Sequence, residues 1–495
     1  MKKNISIIGS GFSSLAAACY MAREGYQVNV YEKNAHLGGR ARSFSEQGFT
    51  FDMGPTWYWM PDVFERFFAD FDKKPQDYYT LERLSPGYRV YFGEDNFVDI
   101  AAELDKIKAI FEKLEAGSAR KLEKFLDKAG KNYEIAIKDL VYKPGISPLE
   151  LVTKDTVFEL KQFYFTIQDY VRKHFKDPRL QQILEFPVLF LGAKPGNTPL
   201  FYSFMNYADF CLGTWYSKGG MISVVNGMVA LAKELGVQFH TNAAVTAIIV
   251  NEKNKVSSIY VNNEIIRTNL LISGADYKHS ESLLPEEFRS YSDSYWEKKV
   301  MAPSSLLFYV GISKKLKHVL HHTLFFDASF DDHAIEIYDN PSWPSNPLFY
   351  ASFPSMTDDS VAPEGQEAAI FLIPLAPDLT DNEETREKYF DIILNRLESL
   401  TKQNVRDFII FKRSYCVQDF KEDYNSFKGN AYGMANTLLQ TAFLRPKLKS
   451  KKVKNLFFTG QLTVPGPGVP PSLISGKLVS EIIIKENALK HEPVI

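Results

Sequence analysis

The feature that most constrains this chain is its opening, residues 3–32, KNISIIGSGFSSLAAACYMAREGYQVNVYE. Ile5 to Ile8 is a short apolar run with β-branched residues, the pattern of a strand buried on both faces. Gly9 and Gly11 follow at once. They let the backbone turn sharply and approach a pyrophosphate, which the helix starting there meets with free N–H groups and the positive end of its dipole. Ser14 stands where the third small residue of such a fingerprint belongs, and Ala16, Ala17 and Ala18 keep the helix slim against a sheet. Gly25 ends the helix, Val28 to Tyr31 forms a second strand, and Glu32 closes the unit. Glu32 lies roughly twenty residues beyond the glycines, where a carboxylate can accept hydrogen bonds from a ribose. The same charge repels a 2′-phosphate, so NADP is disfavoured. The order strand, glycine turn, helix, strand, acid predicts a Rossmann-type dinucleotide site.

The next residues separate nicotinamide from flavin. In Leu37-Gly38-Gly39-Arg40-Ala41-Arg42 a second glycine pair follows the acid closely, and Arg40 is placed to pair with a pyrophosphate. A nicotinamide dehydrogenase has no need of it, so FAD is the expected cofactor. With GFTFDMGPTWYW at residues 48–59, which contains Gly54, this stretch resembles the FAD-binding amino terminus of the flavin amine oxidase and carotenoid desaturase superfamily. The wording GGRA and FDMGPTWYWMPDVFERFF is most similar to bacterial phytoene desaturases.

The far end of the chain bears the same likeness. KNLFFTGQLTVPGPGVPPSLISGKLVSEII, starting at residue 454, reads as strand, glycine turn, proline-kinked loop and helix. Its pattern Gly460-x-x-Thr463-x-Pro465-Gly466-x-Gly468-Val469-Pro470 is similar to the carboxy-terminal FAD signature of phytoene desaturases, and GNAYGMANTLLQTAFLRP at 429–446 matches the segment before it. The resemblance implies an FAD site drawn from Gly9, Gly11, Ser14, Glu32, Gly39, Arg40, Gly54, Gly460, Gln461, Thr463, Gly468, Val469 and Pro470, with the backbone of Val245 reaching the adenine. The chain also departs from the pattern. Val464 stands where bacterial members have a histidine, and Gln461 and Leu462 replace smaller residues. A valine cannot exchange a proton.

The fold implied is α/β: a discontinuous Rossmann-type FAD-binding domain, a mixed-sheet substrate domain, and a helical lid or membrane-facing region. The expected boundaries are 1–75, 218–290 and 450–495 for the cofactor domain, 76–100, 176–217 and 291–449 for the substrate domain, and 101–175 for the lid. A chain of 495 residues with 45% hydrophobic content can bury cores for lobes of this size. The formal charge of −2 supplies no field to recruit nucleic acid. Cys19, Cys211 and Cys416 are too far apart for a disulfide framework or a paired-cysteine metal site. The first strand begins within a few residues of Met1, leaving no room for a signal peptide, and the expected location is cytoplasmic.

Residues 101–137 mix charges at helical spacing and read as a solvated helix pair. Residues 150–176 set Phe158, Phe163, Phe165, Tyr170 and Phe175 among Lys154, Lys161, Arg172, Lys173 and His174, the pattern of an interfacial amphipathic helix; an internal helix packed on the core fits the same letters. The longest uncharged run, Asn455 to Gly476, has too many glycines and prolines for a membrane-spanning helix, so peripheral attachment to the cytoplasmic membrane is the most to expect. His321 and His322 are adjacent before an apolar strand. Neighbouring strand residues face opposite sides, so they are read as turn residues and not as one acid–base unit.

The resemblance implies a desaturase that removes a hydride and a proton from adjacent carbons of a long apolar carotenoid, FAD taking the hydride. An allylic cation can be stabilised by aromatic faces, so a strong protein base is not required. If there is one, Asp209 and Glu185 are the candidates, because they interrupt apolar stretches; a paired, purely structural carboxylate is the alternative for each. Arg445 is read as serving the flavin or capping a helix. The leading expectation is phytoene desaturation towards lycopene, with oxygen or a membrane quinone as final acceptor. A later 3,4-desaturase of hydroxylated carotenoids comes next, then a carotenoid isomerase. A flavin amine oxidase and a flavin-free lipid-binding chaperone are more distant alternatives.

Overall fold

The computed structural model describes residues 3–138, 140–151, 162 and 164–488. Strand β1 (Asn4–Ile8) lies in a five-stranded sheet. Its partners are β2 (Gln27–Tyr31) on one side and Leu270–Ser273 on the other, with Gln238–His240 and Leu456–Phe458 at the edges, all parallel. Parallel neighbours separated by hundreds of residues require crossovers, which the helices supply. Helix α1 (Phe12–Arg23) is buried from Phe12 to Met21. It packs against the helices Met221–Glu234 and Val469–Ala488, so the first and last thirds of the chain share one core.

That packing depends on one missing side chain. A Cβ at Gly476 would stand 2.7 Å from the Ala16 Cβ and 2.9 Å from the Ala17 nitrogen, and would overlap the Ser13 carbonyl oxygen. The alanine run on α1 and the glycine opposite it therefore bring the two helix backbones together. The other face of the parallel sheet is covered by an antiparallel three-stranded sheet, Val245–Val250, Val256–Val261 and Glu264–Arg267.

A second, seven-stranded sheet has the spatial order Ile409–Tyr415, Ser304–Ile312, Glu367–Leu375, Phe349–Ser352, His322–Phe325, Tyr88–Gly93 and Asn96–Ile100. It is mixed, because His322–Phe325 runs parallel to Tyr88–Gly93 while the other pairs are antiparallel. The interior strand Ser304–Ile312, SSLLFYVGI, is buried at every position, as a continuous apolar run requires. Helix Glu383–Thr401 covers one face with Phe390, Ile393 and Leu397. The hairpin Ser43–Glu46/Phe49–Asp52 lays Phe49 and Phe51 on the other, carrying the chain from the cofactor sheet to this one.

The charged helices Leu104–Leu114 and Ser118–Lys138 are amphipathic, with Leu122, Phe125, Leu126, Ala129 and Tyr133 buried beneath the second. Of the stretch 150–176, residues Ile167–His174 form a helix whose cap is the Thr166 hydroxyl, accepting from the Asp169 nitrogen. Ile167, Val171 and Phe175 are buried, so this part packs inward. Lys154, Phe158, Lys161 and Phe163 lie outside the described residues. Among the described residues no helix is long and apolar enough to cross a membrane. Residues 455–476 form the expected strand, turn, loop and helix start.

The backbone contact at Gly476 is testable. A Gly476→Ala variant is expected to lose about 1–3 kcal/mol, the range for overpacking a filled core. Thermal melts would show the loss as a lowered midpoint, and the bound flavin content should fall with it because α1 is displaced.

Candidate active site

One cavity of about 890 Å³ extends from the first glycine turn deep into the seven-stranded sheet. Gly9 has φ +84°, and Gly11 caps α1 with no side-chain bond, which leaves the helix amino end facing the cavity. Glu32 is buried. Its Oε2 accepts from the Ser10 nitrogen at 3.0 Å and the Ser10 hydroxyl at 2.7 Å, while Oε1 accepts from the Asn34 nitrogen at 2.9 Å. The acid thus holds the turn at Ser10 to the loop after β2 while its side chain lines the cavity. Ala243 donates to the Glu32 carbonyl at 2.8 Å, which brings Ala243, Ala244 and Val245 to the same wall.

The second glycine pair closes on the first. Gly39 has φ +57°, and a Cβ there would meet the Gly11 Cα at 3.2 Å. Arg40 then enters the site. It donates to the Ser426 hydroxyl at 3.1 Å and the Asn430 carbonyl at 3.2 Å, and lies 5.0 Å over the Tyr424 ring. With its amide oxygen turned towards Arg40, Gln461 accepts from both terminal nitrogens at 3.0 and 3.1 Å. The Arg40 Nε has no hydrogen-bond partner, and among the described residues no carboxylate forms an ion pair with this guanidinium. Burial pulls its pKa down from the ordinary value. A half-buried cation whose inner nitrogen has no partner is costly, and a pyrophosphate supplies the missing charge. Gly54 permits the approach, since a Cβ there would overlap the Arg40 carbonyl oxygen.

The carboxy-terminal signature reaches the same place. A Cβ at Gly460 would lie 3.1 Å from the Ser13 hydroxyl, so this turn abuts the start of α1. Gly460, Gln461, Gly468, Val469 and Pro470 line the cavity. Thr463 does not. Its hydroxyl donates to the Gly460 carbonyl at 2.8 Å and meets the Ser475 hydroxyl at 2.9 Å, bracing the turn from behind. Ser14 is likewise behind the wall, filling the space against Gly274 where a Cβ would overlap its hydroxyl. Arg445 is buried behind it too, donating to the Gln461 and Met434 carbonyls at 3.2 and 2.9 Å and to Asn436; burial pulls it down to about 10. Its guanidinium clamps two loops, and its backbone nitrogen caps the short 3₁₀ helix Ala442–Leu444 by donating to the Ala442 carbonyl at 3.1 Å. The residues present fit FAD: glycine turns, an open helix end, a buried acid, and an arginine short of an anion. When bound, the flavin supplies the hydride acceptor.

Beyond Val464, which is itself on the wall, the cavity is apolar and aromatic, with Phe186, Phe201, Leu307, Leu324, Phe326 and Leu372 among its lining residues. Sequence reasoning missed three contributors: the turn Gly274-Ala275-Asp276, Tyr432, and the group formed by Thr56, Trp57 and Tyr350. The first follows a strand and carries a glycine, a signal that was present; Thr56, Trp57 and Tyr432 lie inside the motif stretches 48–59 and 429–446, whose letters do not say which side chains face a cavity, and Tyr350 comes from a strand with no local motif.

The two candidate bases are corrected. Neither Asp209 nor Glu185 lines the cavity. Glu185 is fully buried and takes a two-point ion pair from Arg172, Nε to Oε1 at 2.9 Å and Nη2 to Oε2 at 3.0 Å. Burial pushes it up from the ordinary carboxylate value against the pull of that guanidinium. Asp209 sits in the single π turn Ala208–Leu212, accepting from the Tyr88 hydroxyl at 2.7 Å. Burial pushes its pKa up from 3.8 to about 7. Each interrupts an apolar stretch because it packs behind the wall with a partner. The reading of His321 and His322 changes as well. His322 opens the strand His322–Phe325, and both are buried with rings 4.5 Å apart. His321 precedes the ladder, so strand alternation does not separate them.

Two outcomes follow for these acids. Glu32→Ala should reduce the flavin retained per protein after gel filtration, and undiminished flavin absorbance would remove Glu32 from the site. For Asp209, the folded chain holds a proton that the unfolded chain releases above about pH 4, so its contribution to stability falls as pH rises from about 4 to 7. Asp209→Asn, which keeps the Tyr88 bond, should therefore raise the melting temperature more at pH 8 than at pH 5, with turnover per bound flavin unchanged.

The comparisons with known proteins agree with this geometry. The family described as "Flavin containing amine oxidoreductase" matches residues 12–484. The chain is 40% identical to a "Carotenoid 3,4-desaturase" of Haloarcula japonica over 490 residues, covering 98% of this chain and 99% of that protein. It is 31% identical to a "4,4'-diapophytoene desaturase (4,4'-diaponeurosporene-forming)" of Staphylococcus haemolyticus, covering 97% and 99%. The fold is shared with the crystal structure of an oxidoreductase from Methanosarcina mazei, at a TM-score of 0.66 and 15% identity over 97% of this chain and all of the other. The chain belongs to the flavin-containing amine oxidoreductases and, within them, to the carotenoid desaturases, as an FAD-dependent oxidoreductase.

Proposed function

We propose that this protein is a carotenoid 3,4-desaturase, acting on an acyclic carotenoid that already carries a hydroxyl group. The observation that supports this most is the 40% identity, over essentially both full lengths, to a protein named for that reaction. The cavity suits such a substrate, because its apolar, aromatic wall also includes the tyrosines Tyr338, Tyr350 and Tyr432. Val464 fits a role in shaping the wall, since it packs where a Cβ at Gly145 would stand 2.8 Å away. Desaturation of phytoene itself, towards lycopene, is the second reading; it is favoured by the diapophytoene desaturases, which match at 31% and 30% identity.

We also propose that the substrate enters from the cytoplasmic membrane surface. The loops 145–150 and 438–444 meet near one end of the cavity, where Lys447 donates to the Gly145 carbonyl at 2.6 Å. They expose Ile146, Leu149, Leu439 and Leu444, the second and third at 76% and 77% of their surface. Apolar side chains displayed together in this way are suited to the acyl boundary of a bilayer. The electrons pass onward to oxygen or a membrane quinone.

The test is expression in two hosts, one accumulating phytoene and one accumulating a hydroxylated acyclic carotenoid saturated at the 3,4-position. Pigment chromatography should show a longer chromophore in the second host only. Conversion of phytoene with the hydroxylated carotenoid left intact would overturn the first reading in favour of the second.

A further inference from the structure

Any desaturation in this cavity must also dispose of a proton. As hydride leaves one carbon, the developing cation makes the neighbouring C–H bond acidic, so a weak base in contact with the substrate suffices. What such a base needs is a way to pass the proton out of an apolar space.

The polar groups on the wall narrow the choice. Asp276 accepts from the Phe427 nitrogen at 3.2 Å beside the dinucleotide end, and Asp423 is paired with Arg42. Glu150 accepts from the Gly145 nitrogen at 2.8 Å at the far loops. His333 has both ring nitrogens engaged, by the Leu348 nitrogen at 3.1 Å and the Pro374 carbonyl at 2.9 Å.

Tyr350 differs. It lies in the strand Phe349–Ser352 next to Leu324 and Leu372, both of which line the cavity. Its hydroxyl meets the Thr56 hydroxyl at 2.7 Å, two residues from the Gly54 that abuts Arg40. It therefore stands where the dinucleotide wall meets the apolar wall. The same hydroxyl is 2.7 Å from His322 Nδ1, and His322 is itself wholly buried. The imidazole stacks on the Trp57 ring at 4.1 Å and 9°. Its Nε2 has no hydrogen-bond partner. Beyond it are His321, then Tyr216 and Asp358; Tyr88 packs against Trp57 in a T-shaped contact with the ring centroids 5.4 Å apart.

We propose that Tyr350 is the catalytic residue that takes the proton from the substrate, and that His322, held by Trp57, is the positioning residue that receives the Tyr350 proton in turn. This rests on the desaturase activity but not on which carotenoid is used. One C–H bond breaks with its electron pair, for which the oxidised flavin, when bound, would supply the hydride acceptor. The adjacent C–H bond breaks, its pair becomes the new π bond, and its proton goes to the Tyr350 oxygen. The proton already on that oxygen moves to His322 Nδ1, and it returns through the hydroxyl to the cavity after product departs. Burial holds the resting imidazole neutral and makes it a weak base, so with its proton on Nε2 it accepts at Nδ1 only in the step in which the far stronger acid, the C–H beside the developing cation, gives its proton to Tyr350. Once charged, it lies against the face of an indole ring, an arrangement that favours a cation.

The test uses the flavin-loaded full chain, Tyr350→Phe and His322→Gln. Tyr350→Phe should retain flavin and bind the converted carotenoid with its visible absorbance shift unchanged. Its single-turnover rate should fall by about 100-fold or more, the usual weight of a general base. The solvent deuterium isotope effect on that step should disappear. His322→Gln should lower kcat with KM held within about twofold. Independently of turnover, ¹⁵N NMR of labelled imidazoles should show the His322 Nδ1 signal moving in Tyr350→Phe. A Tyr350→Phe rate within about threefold of wild type overturns the proposal, as does an unmoved His322 signal in protein that keeps its flavin. If wild type converts neither carotenoid, the substrate reading falls, and the NMR measurement still decides the Tyr350–His322 couple.

Discussion

The amino end of α1 is packed so tightly that its neighbours must lack side chains, and the architecture depends on that closeness. Gly39 touches the Gly11 backbone, Gly274 meets Ser14, Gly460 meets Ser13, and Gly476 lies against Ser13, Ala16 and Ala17. These glycines come from distant parts of the chain. Together they let two glycine turns, one strand end and one helix converge on a single helix terminus, whose unpaired N–H groups then face an enclosed space. A methyl group at most of these points would push one element outwards and open the dinucleotide end of the cavity.

Charge is handled in two opposite ways around that space. Behind the wall, buried charges are neutralised from within the chain, Glu185 by Arg172 and Arg42 by Asp423, whose carboxylate reaches it from the wall. On the wall, half-buried Arg40 has no carboxylate in ion-pair contact among the described residues and keeps its buried Nε unpartnered. A buried charge without a counter-ion is destabilising, so the contrast distinguishes a binding group from a structural one. It also explains why interrupting an apolar stretch was a poor guide to catalysis at Glu185 and Asp209.

The segments with regular local patterns were the ones legible beforehand. The opening unit, the second glycine pair and the carboxy-terminal strand–turn–helix each have a fixed order of residue types, and they fold as read. Within them, residues assigned alike turned out to act differently. Gly460 and Gln461 face the cavity while Thr463 and Ser14 hold the wall from behind, because spacing along a turn does not say which side the solvent or ligand is on. The charged stretch at 150–176 was ambiguous for a similar reason: Ile167, Val171 and Phe175 obey the same periodicity whether they meet a membrane or a core.

The order of residues along the chain was enough to determine the dinucleotide site, its preference for flavin and the family, since all three rest on local turn geometry and on short motifs. Only the tertiary structure decided which polar groups share a wall. Thr56 and Trp57 come from a loop hundreds of residues before the two strands that carry His322 and Tyr350, and strand pairing in the seven-stranded sheet is what sets His322 beside Tyr350. Non-local pairing leaves no periodicity in the residues it joins, so no reading of neighbours in sequence would have joined them.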